Sequence, residues 1–445
     1  MNPRPELPVG LAVWRSLALT ATAVVLQTLG SATPVHAYCG YVADSESNFV
    51  SVIDTAANTV SATIAQCDSG LCQPNRLAIT PDDRFLYVAN RGSDAQPGDT
   101  VSVVETATNT VVSTITTVGN RSVGIAVTPD GRFVYVVQQA SVSVIDTDKA
   151  LTDPSNAVIK IIQESTVSRS ATSTSSGAAV VIAPDGRRAY VPTSDGSLAV
   201  IDTSSNTVLT TVPGVGSLVG LAIAANGSLI YGTDFFNDRV VVVDTTKVLT
   251  DPSHALTKTI QVGGTPYAPA ITPDGRFVYV PNCGGFCFTG EPSSASSISV
   301  IDTTVNEVAT TLPLPAASGA AAVAFTPEGA FAYVTYAEAD AVAVVDTTKA
   351  FADPAHAVVK EIEGAGPRSV AIAIASLPMC INSHPTCVGD CGVDRQVTVN
   401  EIIAMVNIAL GNADVSGCQA GDLGGDGQIT VDEIITGINN ALGGC

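Results

Sequence analysis

One four-part pattern is written seven times in this chain, and that repeat limits the fold more than any other feature. Each copy holds an apolar segment (a), a Tyr-Val segment (b), a segment ending in an acidic residue (c) and a Val/Thr-rich segment (d). The acidic residue falls at Asp54, Glu105, Asp146, Asp202, Asp244, Asp302 and Asp346, at intervals of 41 to 58 residues. Four short strands at that period predict an all-β, seven-bladed β-propeller. In blade three, a runs from Ser122 to Thr128, b from Val134 to Val137, c from Val142 to Asp146 and d from Val158 to Ile162. A tight turn joins a to b at Pro81-Asp82-Asp83, Pro129-Asp130-Gly131, Pro184-Asp185-Gly186, Ala225-Asn226-Gly227, Pro273-Asp274-Gly275 and Pro327-Glu328-Gly329.

Those are six turns for seven copies. The array opens on strand b at Tyr41-Val42 and ends on a lone strand a, Arg368 to Ala375. The last strand is therefore expected to complete blade one, which removes the exposed edges of an open array. Cys39 and Cys380 flank the missing turn and are predicted to staple the closure.

Hydrophobic residues make up 46% of the 445 positions and aromatics only 5%, so the core must come from Val, Ile, Ala and Leu. A net charge of −21 argues against a nucleic-acid partner. Residues 1–37 read as a signal peptide: Arg4 and Arg15, an apolar run near Leu17 to Leu29, then Val35 and Ala37 before a cut at Tyr38. No membrane span is expected after cleavage, and the chain is expected to be secreted or at the cell surface. Ten cysteines suit an oxidising compartment, with Cys67/Cys72 and Cys283/Cys287 as braces of surface loops.

The strings YVAN, YVPN and YVTY, with VSVIDT and TPDGRFVYV, resemble the YVTN family of surface-layer-type propellers over residues 38–376. That resemblance implies a seven-bladed ring outside the cytoplasm and no single activity. The long b–c segments Asn90 to Thr100 and Asn282 to Ser297 share one face with the d–a segments Ala65 to Pro74 and Gln163 to Gly177. This loop-rich face is the expected recognition surface. The other face carries an insertion in blades three, five and seven (DTDKALTDPSNAVIK and its two relatives), read as a duplicated structural module. Arg368, Arg76 and Arg121 lie on strands a of blades one to three, where they could converge on the channel to attract an anion, but are read first as surface or channel-wall salt-bridge residues.

Beyond a linker at 377–388, residues 389–445 hold two loop–helix copies, with Asp390 and Asp422 at equivalent places 32 residues apart. Calcium needs several oxygens from one tight turn and a bidentate carboxylate at position 12. The first loop offers Asp390, Asp394, Gln396 and Glu401, the second Asp422, Asp426, Gln428 and Glu433. The unit resembles a type I dockerin, a small α-helical EF-hand-like domain. That resemblance implies calcium as cofactor and a cohesin-like or cell-envelope partner. Gly392 and Gly424 stand where the family usually has an Asn or Asp ligand, and Val399-Asn400 and Val431-Asp432 replace its usual Ser-Thr recognition pair. Cys387 with Cys445 and Cys391 with Cys418 is one of three possible pairings.

Taken together, these features predict a non-catalytic binding or scaffolding protein whose tail mediates attachment. The alternative is a lactonase-like hydrolase, because that family shares the ring. It needs acidic and basic groups converging on the channel, for which Asp44, Asp234 and Glu338 are the candidates.

Overall fold

The computed structural model describes residues 38–66, 72–92, 97–117, 119, 121–139, 141–163, 179–285, 296–366, 368–376, 399–413, 418, 428–431, 434, 435 and 438. Residues 1–37 and 377–388, expected as a leader and a linker, lie outside the described residues. Seven four-stranded antiparallel sheets form a seven-bladed propeller, each ordered a-b-c-d from the centre outwards. Neighbouring strands a touch all the way round, the seventh meeting the first.

Closure follows the expectation. Ser369–Ile374 pairs antiparallel with Cys39–Asp44, with Gly40 opposite Ile374 and Val42 opposite Ile372. Of the expected staple, Cys39 is buried and Cys380 lies outside the described residues. Backbone pairing closes the ring, assisted by a bond from the Ser376 hydroxyl to Asp83 Oδ2 at 2.6 Å.

The repeated residues earn their places through local chemistry. In the blade-three turn, Thr128 Oγ1 and the Arg132 amide both donate to Asp130 Oδ1, at 2.6 and 3.1 Å. Gly131 takes a φ of 73°, a left-handed conformation that disfavours larger residues. The Asp ending strand c is also a turn-former. Asp202 Oδ1 accepts the amides of Ser204 and Ser205 at 2.8 and 2.9 Å. The Thr that follows ties strand c to the a–b turn, as when Thr303 Oγ1 donates to the Gly275 carbonyl at 2.8 Å.

Junctions between blades come in two kinds. In four, the strand-b tyrosine donates to an Asn in the next blade's c–d turn: Tyr41 to Asn109 at 3.3 Å, Tyr231 to Asn306 at 2.6 Å, Tyr333 to Asn58 at 2.7 Å, and Tyr135 to Asn206. Each of these Asn residues has positive φ, which Asn tolerates well. In the other three, the neighbour carries the insertion, and its alanines cover the tyrosine. Ala150 and Ala157 share a core with Tyr87, Ala255 with Tyr190, and Ala350 and Ala357 with Tyr279. Helix α1 (Thr147–Thr152) belongs to the first insertion and helix α2 (Lys349–Ala352) to the third. The insertion is thus a structural lid over an apolar junction.

In the carboxyl-terminal unit, helix α3 (Val399–Ala409) buries Met405 and Ile408 with Cys418 and Ile429, and Ile402 and Ile434 pack against them. The two copies share one small core. No helix among the described residues is long and apolar enough to cross a membrane.

Candidate functional site

The acids that sequence reasoning offered do not converge. Asp44 and Asp234 hold equivalent positions at the end of strand b, both fully buried within their own blades. Asp234 Oδ2 pairs with Arg239 Nε at 2.9 Å and accepts from Asn237 Nδ2 at 2.8 Å. Asp44 Oδ1 accepts the Glu46 and Ser47 amides at 2.9 and 3.2 Å. Other blades place an amide here for the same purpose: Asn90 donates to Ser102 at 2.9 Å, and Asn282 to Ser299 at 3.0 Å. The d–a segment crosses directly over this position. A Cβ on Gly366 would collide with Asp44, one on Gly216 with Asp234 and one on Gly263 with Asn282. These residues anchor the blade. Glu338 is half-buried beneath Gly319, one blade from Asp44.

What the structure does gather is basic. Arg368 stands at the start of strand a in blade one, and its Nη1 pairs with Glu46 Oε1 at 2.9 Å, both side chains being partly exposed. Glu46 sits in the b–c turn of the same blade. The Ser45 amide donates to the Arg368 carbonyl at 3.2 Å and fixes the two segments together. Arg76, in blade two, sends Nη1 across the junction to the Val370 carbonyl at 3.3 Å, and also to that of Asn75 at 2.9 Å. Arg121 opens strand a of blade three with a φ of 60°.

Tyr267 of blade six belongs to the same mouth. The charges of Arg76 and Arg368 both reach its hydroxyl and favour ionisation, yet burial outweighs them and raises its proton affinity. The phenol stays protonated throughout the neutral range. Its ring packs edge-on against Phe235, with centroids 5.3 Å apart, above Val219 and Cys283. Two buried polar atoms nearby lack hydrogen-bond partners among the described residues: Asp44 Oδ2 and Asn75 Oδ1. The mouth therefore offers two guanidinium groups and one partly exposed carboxylate. Such a set can hold an anionic or strongly polarised oxygen while a carboxylate acts on a water beside it.

Sequence reasoning had Arg76 in hand and gave it a wall role. A stronger signal was available within the repeats. In the paired register Arg76 occupies the place held by Gly124, Gly220, Ala322 and Ala371 in other blades. One long cation where the ring otherwise requires small residues marks a local departure from the structural pattern.

Several expected site residues cannot be placed. Asp390, Asp394, Gln396, Asp422, Asp426 and Glu433 lie outside the described residues. Of the remaining two, Glu401 is in the first turn of helix α3 and Gln428 is exposed. Cys72, Cys283 and Cys418 are each disulfide-bonded, while Cys67, Cys287 and Cys391 lie outside the described residues.

Comparison with known proteins bears on the function. The family described as Lactonase, 7-bladed beta-propeller, matches residues 41–153, from the first strand of the ring to the insertion of blade three. No curated protein matches. Among solved structures, the periplasmic gluconolactonase of Pseudomonas aeruginosa is 19% identical with a TM-score of 0.57, covering 77% of this chain and 99% of that one. Hydrazine synthase of Kuenenia stuttgartiensis is 19% identical with a TM-score of 0.54, covering 72% of this chain and 99% of that one. A functionally unknown protein of Desulfotomaculum acetoxidans is 13% identical with a TM-score of 0.56, covering 76% and 99%. At these identities the structural matches speak for the ring alone. The lactonase family match overturns the expected non-catalytic scaffold and favours the hydrolase alternative. The acids that the alternative offered, Asp44, Asp234 and Glu338, are tied up within their own blades, so the sequence named no converging set.

Proposed function

We propose that the protein hydrolyses a lactone at the mouth formed by Arg76, Arg368, Glu46 and Tyr267. The observation that carries this reading is the guanidinium pair beside a partly exposed carboxylate, in a chain whose first blades match a lactonase family. In this scheme Glu46 takes a proton from water as the water oxygen bonds to the ring carbonyl carbon. The carbonyl electron pair moves onto its oxygen, where Arg76 and Arg368 stabilise the charge. Collapse of this intermediate breaks the ring C–O bond, and the leaving alkoxide receives the proton held by Glu46. The product is an open-chain hydroxy acid. Tyr267 forms the floor and positions the arginines rather than reacting.

The test is proton release by the full chain in a pH-stat, over a panel of five- and six-membered aldonolactones and simple alkyl lactones. Saturable release above the spontaneous rate for at least one ring supports the reading. Rates equal to the buffer blank across the panel refute it.

The unit at 389–445 is proposed to be a calcium-stabilised double loop–helix of dockerin type. Glu401 at the head of helix α3, where the twelfth loop position falls, supports this, as does the core shared by the two copies. Calorimetric titration of the full chain with calcium should show uptake that Glu401→Gln and Glu433→Gln reduce together. No heat at millimolar calcium would remove the assignment.

A further inference from the structure

The four Tyr–Asn latches leave Tyr87, Tyr190 and Tyr279 facing insertion blades. Two of these can be compared directly. Arg188 lies close enough to the Tyr190 hydroxyl for its charge to favour ionisation. Arg188 opens strand b of blade four opposite Asp202, the place Phe85 holds in blade two opposite Glu105. Tyr87 therefore has no arginine in that place. It is fully buried, and its hydroxyl has no hydrogen-bond partner among the described residues.

Tyr87 lines a cleft of about 280 Å³ between blades two and three, on the face opposite the arginine mouth. Asp82, Asp130 and Asp148 share that lining. The charges of Asp148, Asp146 and Asp82 all bear on the Tyr87 hydroxyl, and burial keeps it protonated. Asp82 and Asp130 use Oδ1 for their own turns, binding Thr80 and Thr128 at 2.6 Å, so Oδ2 is the atom left for a ligand. Asp148 is exposed on helix α1, and blades five and seven have Thr246 and Thr348 in its place. Arg84, the cation in the lining, lies over the ring of Phe85 at 5.3 Å.

The arrangement disfavours a metal. No group of three carboxylate, His or Cys side chains among the described residues is close enough to hold one. Spread carboxylates, a phenol oxygen and walls of Pro81, Pro129 and Leu151 suit a cation with an apolar stem.

We propose that the cleft between blades two and three binds an alkyl guanidinium or alkyl ammonium ion, its head beside Tyr87 as Arg188 stands beside Tyr190. The Tyr87 oxygen accepts an N–H, and the carboxylates supply charge-assisted bonds. Calorimetry of the full chain with agmatine, repeated with putrescine and at raised salt, tests this. One saturable site per chain is expected. Asp148→Asn, a change at an exposed position, should weaken it about tenfold. Phe85→Arg, which tethers a guanidinium where blade four has one, should abolish it. Heat that never saturates, or affinity unchanged in both variants, would overturn the proposal and assign the signal to diffuse attraction by the acidic surface.

Discussion

The two faces of this ring are built from the same four strands, yet they obey different rules. On the a–b/c–d face every blade repeats one chemistry. An Asp or Asn bends the chain, a Thr pins strand c to the neighbouring turn, and a tyrosine is either latched by Asn or covered by alanines. On the b–c/d–a face the repeat holds only as far as the buried residue ending strand b. Beyond it the blades diverge: Arg76 has only Gly or Ala at its place in the other paired registers, and Arg368 has a counterpart in Arg121 alone. Regularity marks what holds the ring together, and departure from it marks what the ring presents to solvent.

That contrast can be broken by moving one residue on each face. The largest effect is expected on the irregular face. Arg76→Ala or Arg368→Ala should lower kcat/KM for lactone hydrolysis roughly a hundredfold, the scale of losing one oxyanion contact, while the melting temperature stays within a few degrees. Equal loss of stability and activity would place the arginines in the structural set instead. On the regular face, Asn58→Ala removes the latch from Tyr333 that joins blade seven to blade one. It should cost about 1–2 kcal/mol in urea unfolding while the activity of folded molecules is retained. Asn58→Gly, which keeps the positive φ but not the acceptor, separates the hydrogen bond from backbone strain.

Titration sharpens the same comparison. Tyr231 is pushed up to about 12, by burial first and then by the Asp302 charge. The fold thus favours the protonated phenol, and this contribution is complete below the ordinary value of 10.0. It is lost as pH rises from there through about 12, so unfolding midpoints should fall in that window, and less so in Tyr231→Phe. The smallest effect is at the acid end. Ser204 holds Asp202 low and Thr246 holds Asp244 low, chiefly through their hydroxyls. Depressed carboxylates stabilise above the ordinary value of 3.8 and lose that contribution as pH falls through their folded values. Acid unfolding curves of Asp202→Asn should be shallower than those of the parent chain below that point.

The ring was readable because its information is local and repeated. A turn of the Thr-Pro-Asp-Gly kind, a Tyr-Val strand and a terminal Asp-Thr sit within a few residues of one another, and seven copies average out the noise in any one. The missing seventh turn even revealed the closure, since a lone apolar strand needs an edge to pair with. The Tyr–Asn latches were not readable. Tyr231 and Asn306 are 75 residues apart, and nothing short-range couples them. The site was misjudged for a related reason. Asp44 and Asp234 attract notice because they are charged, but their register makes them counterparts of Asn90 and Asn282, which are buried anchors. Arg76 was informative only against its counterparts in other blades, and its meaning required knowing that strand a there is packed too closely for anything longer than Ala elsewhere in the ring.

The central claim is that lactone chemistry belongs to the arginine mouth. A crystal of the full chain soaked with the open-chain hydroxy acid of the best substrate measures this directly. The account predicts a carboxylate bound between Arg76 and Arg368, with the Arg368–Glu46 pair opened to admit it. A hydroxy acid seated on the opposite face, or a mouth unchanged at saturating ligand in an active enzyme, would contradict it.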